Sequence, residues 1–134
     1  MPNVFVDTNV FLYRVDDRDL KKRDRAISLL SEIGENITTS TQVLQEFYFN
    51  ATIKLRVTPA YSLQIVEQLC RQRVVQITPT LILSSIDTSE RYRISLWDSL
   101  IVEAAAAGGC LTLYTEDLNH GQKIRGVLVQ NPFL

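Results

Sequence analysis

The chain has 134 residues, a formal net charge of −1 and 46% apolar residues. This length fits one domain, so we expect residues 1–134 to form a single unit with a core large enough to need no disulfide or structural metal. The charge balance excludes a globally basic surface for nucleic acid, two isolated cysteines exclude a disulfide framework, and no apolar run is long enough to cross a bilayer. We also find no signal peptide pattern, so we expect a cytoplasmic protein in which Cys70 and Cys110 are buried as small apolar side chains.

Short apolar segments alternate with longer amphipathic segments along the chain. In chain order the patterns predict a strand at 4–6, a helix at 19–33, a strand at 37–38, a helix from Thr39 or Ser40 to about Arg56, a helix from Thr58-Pro59, a strand at 74–77, a helix from Thr78-Pro79 to about Tyr92, a helix at 97–107, a strand at 110–115 and a strand at 127–129. Such alternation is typical of βαβ units, which build a parallel sheet with helices on both faces.

Four acidic residues stand at the ends of these predicted elements. Asp7 directly follows the first strand, and Asp117 follows the strand at 110–115. Glu46 and Asp98 lie near the starts of two helices, each among apolar neighbours. Because ligands of parallel sheets bind at the carboxyl ends of the strands, we expect the four carboxylates to meet there.

Each acid taken alone has an ordinary structural explanation. Asp7 could cap a helix that starts near Asn9, and Asp98 could be a favourable first-turn acid. Glu46 could lie at the edge of an apolar helical stripe, and Asp117 could be a turn residue. Taken together, however, converging carboxylates repel each other, and a divalent cation relieves that repulsion. Oxygen ligands without nearby histidine or cysteine favour Mg²⁺ or Mn²⁺, as one or two ions.

Four motifs extend this pattern over the whole chain. They are Val6-Asp7-Thr8-Asn9, the segment from Thr41 to Phe47, the segment from Ser95 to Ile101, and Tyr114-Thr115-Glu116-Asp117-Leu118. In order and spacing the chain resembles the PIN-domain ribonucleases, and more narrowly the VapC-type toxins of toxin–antitoxin pairs. Asp7, Glu46, Asp98 and Asp117 match the acidic quartet of that family.

The resemblance implies a three-layer α/β/α sandwich with a mainly parallel central sheet. It also implies hydrolysis of RNA by water activated with Mg²⁺ or Mn²⁺, a cognate antitoxin and a homodimer. No membrane partner is expected, because no apolar run could cross a bilayer. Asp7 and Asp98 are expected as the most direct metal ligands. Supporting roles around the metal are expected for four polar residues, each of which could equally be a cap or turn residue: Thr8, Asn9, Ser95 and Thr115.

Two other functions are weighed against this one. A phosphatase of the haloacid dehalogenase type carries Asp-x-Asp after its first strand, but here Asn9 occupies the third position. A PIN-like domain that binds RNA or protein without cutting is the remaining alternative, although all four acids are present.

Among the other polar and aromatic residues, His120 is expected in an exposed loop and Trp97 in the core, while Tyr13 is open between packing and base stacking. The basic residues of one predicted helix and of the segment before Asp98 are expected mainly on solvated helix faces, with contact to phosphate as the alternative: Lys21, Lys22, Arg23, Arg25, Arg91 and Arg93.

Overall fold

The computed structural model describes residues 2–134. Six helices and six strands follow one another in this order: β1 Val4–Val6, α1 Thr8–Arg14, α2 Leu20–Ile33, a 3₁₀ turn Gly34–Asn36, β2 Ile37–Ser40, α3 Thr41–Ile53, α4 Pro59–Cys70, β3 Arg73–Val75, α5 Pro79–Tyr92, α6 Leu96–Ala107, β4 Thr112–Tyr114, β5 Lys123–Ile124 and β6 Val127–Gln130. Within this described part of the chain, no helix is long and apolar enough to cross a membrane.

The strands form one sheet in the order β3-β2-β1-β4-β6-β5. All neighbouring pairs are parallel except β5 with β6, which form an antiparallel hairpin. The chain steps outward from β1 to β2 to β3 and then crosses back to β4 on the other side of β1. The strand order therefore reverses between β1 and β4.

This reversal decides on which face each helix lies. Crossover connections between parallel strands are right-handed, so connections that run in opposite directions along a sheet cover opposite faces. Helices α1 to α4 connect the outward steps and pack on one another, whereas α5 and α6 belong to the return crossover and pack together. The three-layer α/β/α sandwich with a mainly parallel sheet is thus confirmed.

Side-chain caps explain where most of the helices begin. Five capping oxygens accept a bond from the backbone N–H three residues later, at Asp19, Ser40, Thr58, Thr78 and Ser95. Each such bond satisfies one of the unpaired donors in the first turn of a helix. Ser40, rather than Thr39, is the cap of α3, because Ser40 is the last residue of β2 and its side-chain oxygen accepts a bond from Val43 N.

Several details differ from the sequence predictions. The strand predicted at 110–115 covers only Thr112–Tyr114, and the one predicted at 74–77 is Arg73–Val75. The two-residue strand β5 was not predicted, because two residues carry no periodic pattern. Cys110 is buried as expected, but the expectation for Cys70 is wrong: it ends α4 and is exposed.

Gly108 allows α6 to end close against the sheet. A Cβ atom at this position would lie 3.1 Å from Val75 Cγ2 and 3.2 Å from Thr38 Cγ2.

We expect Gly108→Val to lower the free energy of unfolding by about 1–3 kcal/mol, because the added atoms overpack this junction. Ala107→Val, which adds methyl groups at an exposed position one residue earlier, is the matched control and should cost less than about 1 kcal/mol. Urea denaturation of both variants measures the difference, and equal losses would contradict the close packing.

Candidate active site

The reversal of strand order brings the ends of β1 and β4 together. The backbone N–H of Asp7 donates to the carbonyl of Tyr114 over 3.0 Å, so the residues that follow the two strands start side by side. In open α/β sheets, the crevice at such a reversal is where ligands bind. Asp7 and Asp117 both enter this crevice from the strand ends, as the sequence predicted.

Asp7 is the most buried of the four acids, with 5% of its surface exposed. It caps α1, and its two oxygens accept bonds from Thr8 N at 2.6 Å and from Thr115 Oγ1 at 2.8 Å. Burial raises the pKa of Asp7 to about 7; these two hydrogen bonds act to lower it, while the charges of Asp117 and Glu46 raise it further. Asp7 is therefore both a helix cap and a member of an acidic group, so the two explanations of this residue are not exclusive.

Glu46 reaches the same place from α3. Its Oε1 accepts a bond from Thr8 Oγ1 at 2.8 Å, and its Oε2 accepts one from Gln42 Nε2 at 3.4 Å. Thr8 thus contacts Asp7 through its backbone and Glu46 through its side chain, which connects the start of α1 with the middle of α3. Gln42 also donates to the carbonyl of Trp97 over 3.3 Å and so ties α3 to α6.

Asp98 lies in the first turn of α6 and is partly buried. Burial raises its pKa, a hydrogen bond with Ser95 lowers it, and the charges of Asp117 and Glu46 raise it. The same two neighbours act on Asp7, so Asp7 and Asp98 each lie within electrostatic reach of Glu46 and Asp117. Ser95 serves α6 as its N-cap through the bond from Asp98 N, and it thereby sets where Asp98 lies.

Asp117 is exposed and is oriented by Asn9 and Thr115. Asn9 Nδ2 donates to Asp117 Oδ2 at 3.1 Å and to Thr115 Oγ1 at 3.2 Å, and Asp117 N donates to the same hydroxyl at 3.1 Å. Thr115 therefore connects Asp7, Asn9 and Asp117 through one buried oxygen. The orientation of the Asn9 amide follows from these partners, because a flipped amide would set its oxygen against a carboxylate.

Two other predictions about polar and aromatic residues are now decided. Trp97 was expected in the core, which is wrong: 64% of its surface is exposed beside Asp98. Trp97 is the second residue of α6 and lies on the exposed side of that helix. The prediction of burial was based on the apolar character of the indole ring, which does not indicate which side of a helix a residue occupies. His120 is exposed in the loop before β5, as expected, and its Nδ1 accepts a bond from Asn131 N.

Comparison with known proteins places the chain in a family. A sequence model of the family described as PIN domain matches residues 4–123. The chain belongs to the PIN domain family. No match is found among curated proteins.

Solved structures share the fold of this PIN domain at low sequence identity. A toxin–antitoxin complex from Klebsiella pneumoniae matches with a TM-score of 0.73 and 18% identity, covering 97% of this chain and 98% of that one. VapC20 from Mycobacterium tuberculosis, described as a sarcin–ricin loop cleaving toxin, matches with a TM-score of 0.67 and 17% identity over 83% and 87% of the two chains. A DNA-bound VapBC from Salmonella typhimurium matches with a TM-score of 0.68 and 20% identity over 98% and 99%.

The acidic group fits a hydrated divalent cation better than a closed protein cage. Among residues 2–134, no three acidic, histidine or cysteine side chains lie close enough to form a metal site by themselves. Mg²⁺, however, usually keeps several waters and takes only one or two carboxylates from the protein, together with substrate phosphate. Two amide oxygens near the acids, Asn9 Oδ1 and Gln42 Oε1, are buried without a hydrogen-bond partner in the described residues, as expected for a polar site that accepts further ligands.

The burial of Asp7 predicts an unusual pH dependence of stability. Its pKa is about 7 in the folded protein and 3.8 as the ordinary value, so the folded state holds this proton more tightly and loses stability as pH rises between those values. In metal-free buffer, Asp7→Asn should therefore gain stability relative to the parent between pH 5 and pH 8, by roughly 3 kcal/mol. Urea denaturation at both pH values measures this change. Asp24→Asn, at an exposed carboxylate, is the control, and an equal pH-dependent gain in both variants would refute the assignment.

Proposed function

We propose that this PIN domain, spanning residues 1–134, is a metal-dependent endoribonuclease that hydrolyses RNA phosphodiester bonds and acts as the toxin of a toxin–antitoxin pair. The observation that carries the proposal is the gathering of four carboxylates from four different elements at the reversal of strand order. Such a group is costly in the absence of a cation, since burial and mutual repulsion both raise the pKa of Asp7 and Asp98.

The chemistry of the donors suits Mg²⁺ or Mn²⁺, as one or two ions. Asp7 and Asp98 would be the direct ligands, and Glu46 and Asp117 would complete the site directly or through waters. When bound, the cation lowers the pKa of water and neutralises charge on the phosphodiester.

The remaining steps depend on the side chains of this chain. The hydroxyls of Thr8 and Thr115 donate hydrogen bonds to Glu46 and Asp7, respectively, and Asn9 donates one to Asp117, so each of these three carboxylates is held in a fixed orientation. Such supporting bonds orient carboxylates and typically affect activity 10- to 100-fold when they are removed. Glu46 or Asp117, which are not assigned as direct ligands, would take the proton from the attacking water.

Attack by water makes the 2′-hydroxyl of RNA unnecessary as a nucleophile. We therefore expect products with 5′-phosphate and 3′-hydroxyl ends. Enzymatic end analysis of a cleaved oligonucleotide decides this, because cyclic phosphate ends would require a different reaction.

Protein partners form the second part of the proposal. The fold is shared with toxins solved as toxin–antitoxin complexes, including one bound to DNA. Large apolar side chains are exposed on several helices, where they suit contacts with an antitoxin or with a second copy in a homodimer. They include Phe49 and Ile53 of α3, Leu63 of α4, and Leu83 and Ile86 of α5.

A non-cleaving PIN domain that binds RNA or protein is the second candidate. The two functions differ in their use of the acids, since binding alone needs no charged cluster that is unfavourable without a cation. Metal-dependent cleavage of a labelled RNA, abolished by EDTA, would exclude the non-cleaving function.

The acids can be tested one at a time. Asp98→Asn and Asp7→Asn should remain folded and lose more than about 100-fold in cleavage rate, because each removes a charge that would hold the cation. Asp87→Asn, at an exposed acid of α5, should cut RNA at the parental rate. The measurement is cleavage of the same RNA in Mn²⁺ and in Mg²⁺, with circular dichroism to verify folding. Parental activity in Asp98→Asn or Asp7→Asn would remove that residue from the site.

A further inference from the structure

A cleft opens between α1 and α3 beside the acidic group. One wall is formed by Asn9, Leu12 and Tyr13, which share a face of α1 because they are spaced three and four residues apart, and by Asp16 just beyond the end of that helix. The opposite wall is the end of α3, with Asn50 and Lys54. The volume of the cleft is about 280 Å³, near the lower end of the range for small-molecule pockets.

The cleft is continuous with the proposed active site. Asn9 lines the cleft and also holds Asp117. Asn50 lies one turn beyond Glu46 and donates from Nδ2 to the Glu46 carbonyl over 2.8 Å. Glu116 closes the cleft and is the sequence neighbour of Asp117. A chain whose phosphate lies at the acids would therefore continue directly into this cleft.

Most charges around the cleft are already paired. Arg18 forms two side-chain bonds of 2.9 Å with the carboxylate of Asp16. Glu116 accepts a bond from the Tyr13 hydroxyl at 2.5 Å and one from Lys22 Nζ at 3.0 Å. These pairs leave the walls close to neutral, which does not favour a free anion inside the cleft.

Two polar groups remain available at the α3 wall. Lys54 is exposed and has no ion pair within residues 2–134, and Asn50 Oδ1 accepts no bond from them. Glu46, Asn50 and Lys54 follow one another at intervals of four residues, so they form a row that leads from the acids to the outer rim over about 12 Å. The apolar lining comes from Leu12 and Leu55. The cleft thus offers apolar walls, an amide acceptor and a cation at the rim.

We propose that this cleft, lined by α1 and by the end of α3, binds one unpaired nucleotide of the RNA next to the phosphodiester that is cut. The base lies between Leu12 and Leu55, Asn50 accepts a hydrogen bond from its edge, and Lys54 contacts a backbone phosphate. Recognition of single-stranded RNA generally uses bases that are turned out of a helix, so we expect the base in this cleft to be unpaired. This inference rests on the proposed function and adds a substrate subsite to it.

Binding to RNA can be measured separately from cleavage by using the Asp98→Asn background. The probe is a fluorescent single-stranded RNA oligonucleotide, titrated in Mg²⁺ at several salt concentrations. Lys54→Gln should weaken binding roughly three- to tenfold and reduce the slope of log Kd against log salt by about 0.7, since one phosphate contact is lost. Lys54→Arg should restore both values, whereas Lys123→Gln, at an exposed cation of β5, should change neither.

A second variant tests the volume of the cleft. Asn50→Trp fills it and should weaken binding at least as much as Lys54→Gln, while Gln64→Trp, at an exposed position of α4 away from the cleft, is the control and should leave binding unchanged. An oligonucleotide containing 4-thiouridine should crosslink to peptides that contain Leu12 or Leu55. Unchanged RNA affinity in both Lys54→Gln and Asn50→Trp would overturn the subsite. If these variants kept their RNA affinity but no longer copurified with a co-expressed antitoxin, the cleft would be a binding site for protein and not for RNA. Neither outcome affects metal-dependent cleavage of RNA by the parent protein, which tests the proposed nuclease activity separately. The subsite proposal can therefore fail while the nuclease proposal holds.

Discussion

The concentration of negative charge at one edge of the sheet is the constraint on which the site depends. Asp7 lies almost completely buried within reach of two other acids, and its proton becomes hard to remove, with the pKa raised to about 7. A protein that needed only a helix cap at this position could use serine or asparagine at no such cost. In the proposed metal-bound state a divalent cation would offset this cost, because its charge attracts each of the neighbouring carboxylates.

The fold produces this concentration of charge through its topology. Two acids follow adjacent parallel strands on either side of the reversal, and the other two come from the helices that begin beside them. Polar side chains then join these separate elements: Thr8 connects α1 with α3, Gln42 connects α3 with α6, and Thr115 connects the end of β4 with α1. The same residues that cap helices and close turns therefore also orient the carboxylates.

Much of this arrangement could be predicted from the sequence. Proline after threonine at Thr58 and Thr78 indicated helix starts that the structure confirms, and the alternation of elements indicated the parallel sheet. The role of Gln42 could not be predicted, since a glutamine in a helix carries no signal of which distant carbonyl it will contact. The exposure of Trp97 and Cys70 was also missed, because composition favours burial of these residue types while the helical face on which they lie depends on tertiary packing.

The central claim is that these carboxylates share a divalent cation. Crystals grown or soaked in Mn²⁺ and measured at the manganese absorption edge would test it most directly. The account predicts an anomalous peak between Asp7 and Asp98, within reach of Glu46 or Asp117 directly or through water. A saturating Mn²⁺ soak that gave no peak among these side chains, with all four ordered, would contradict it.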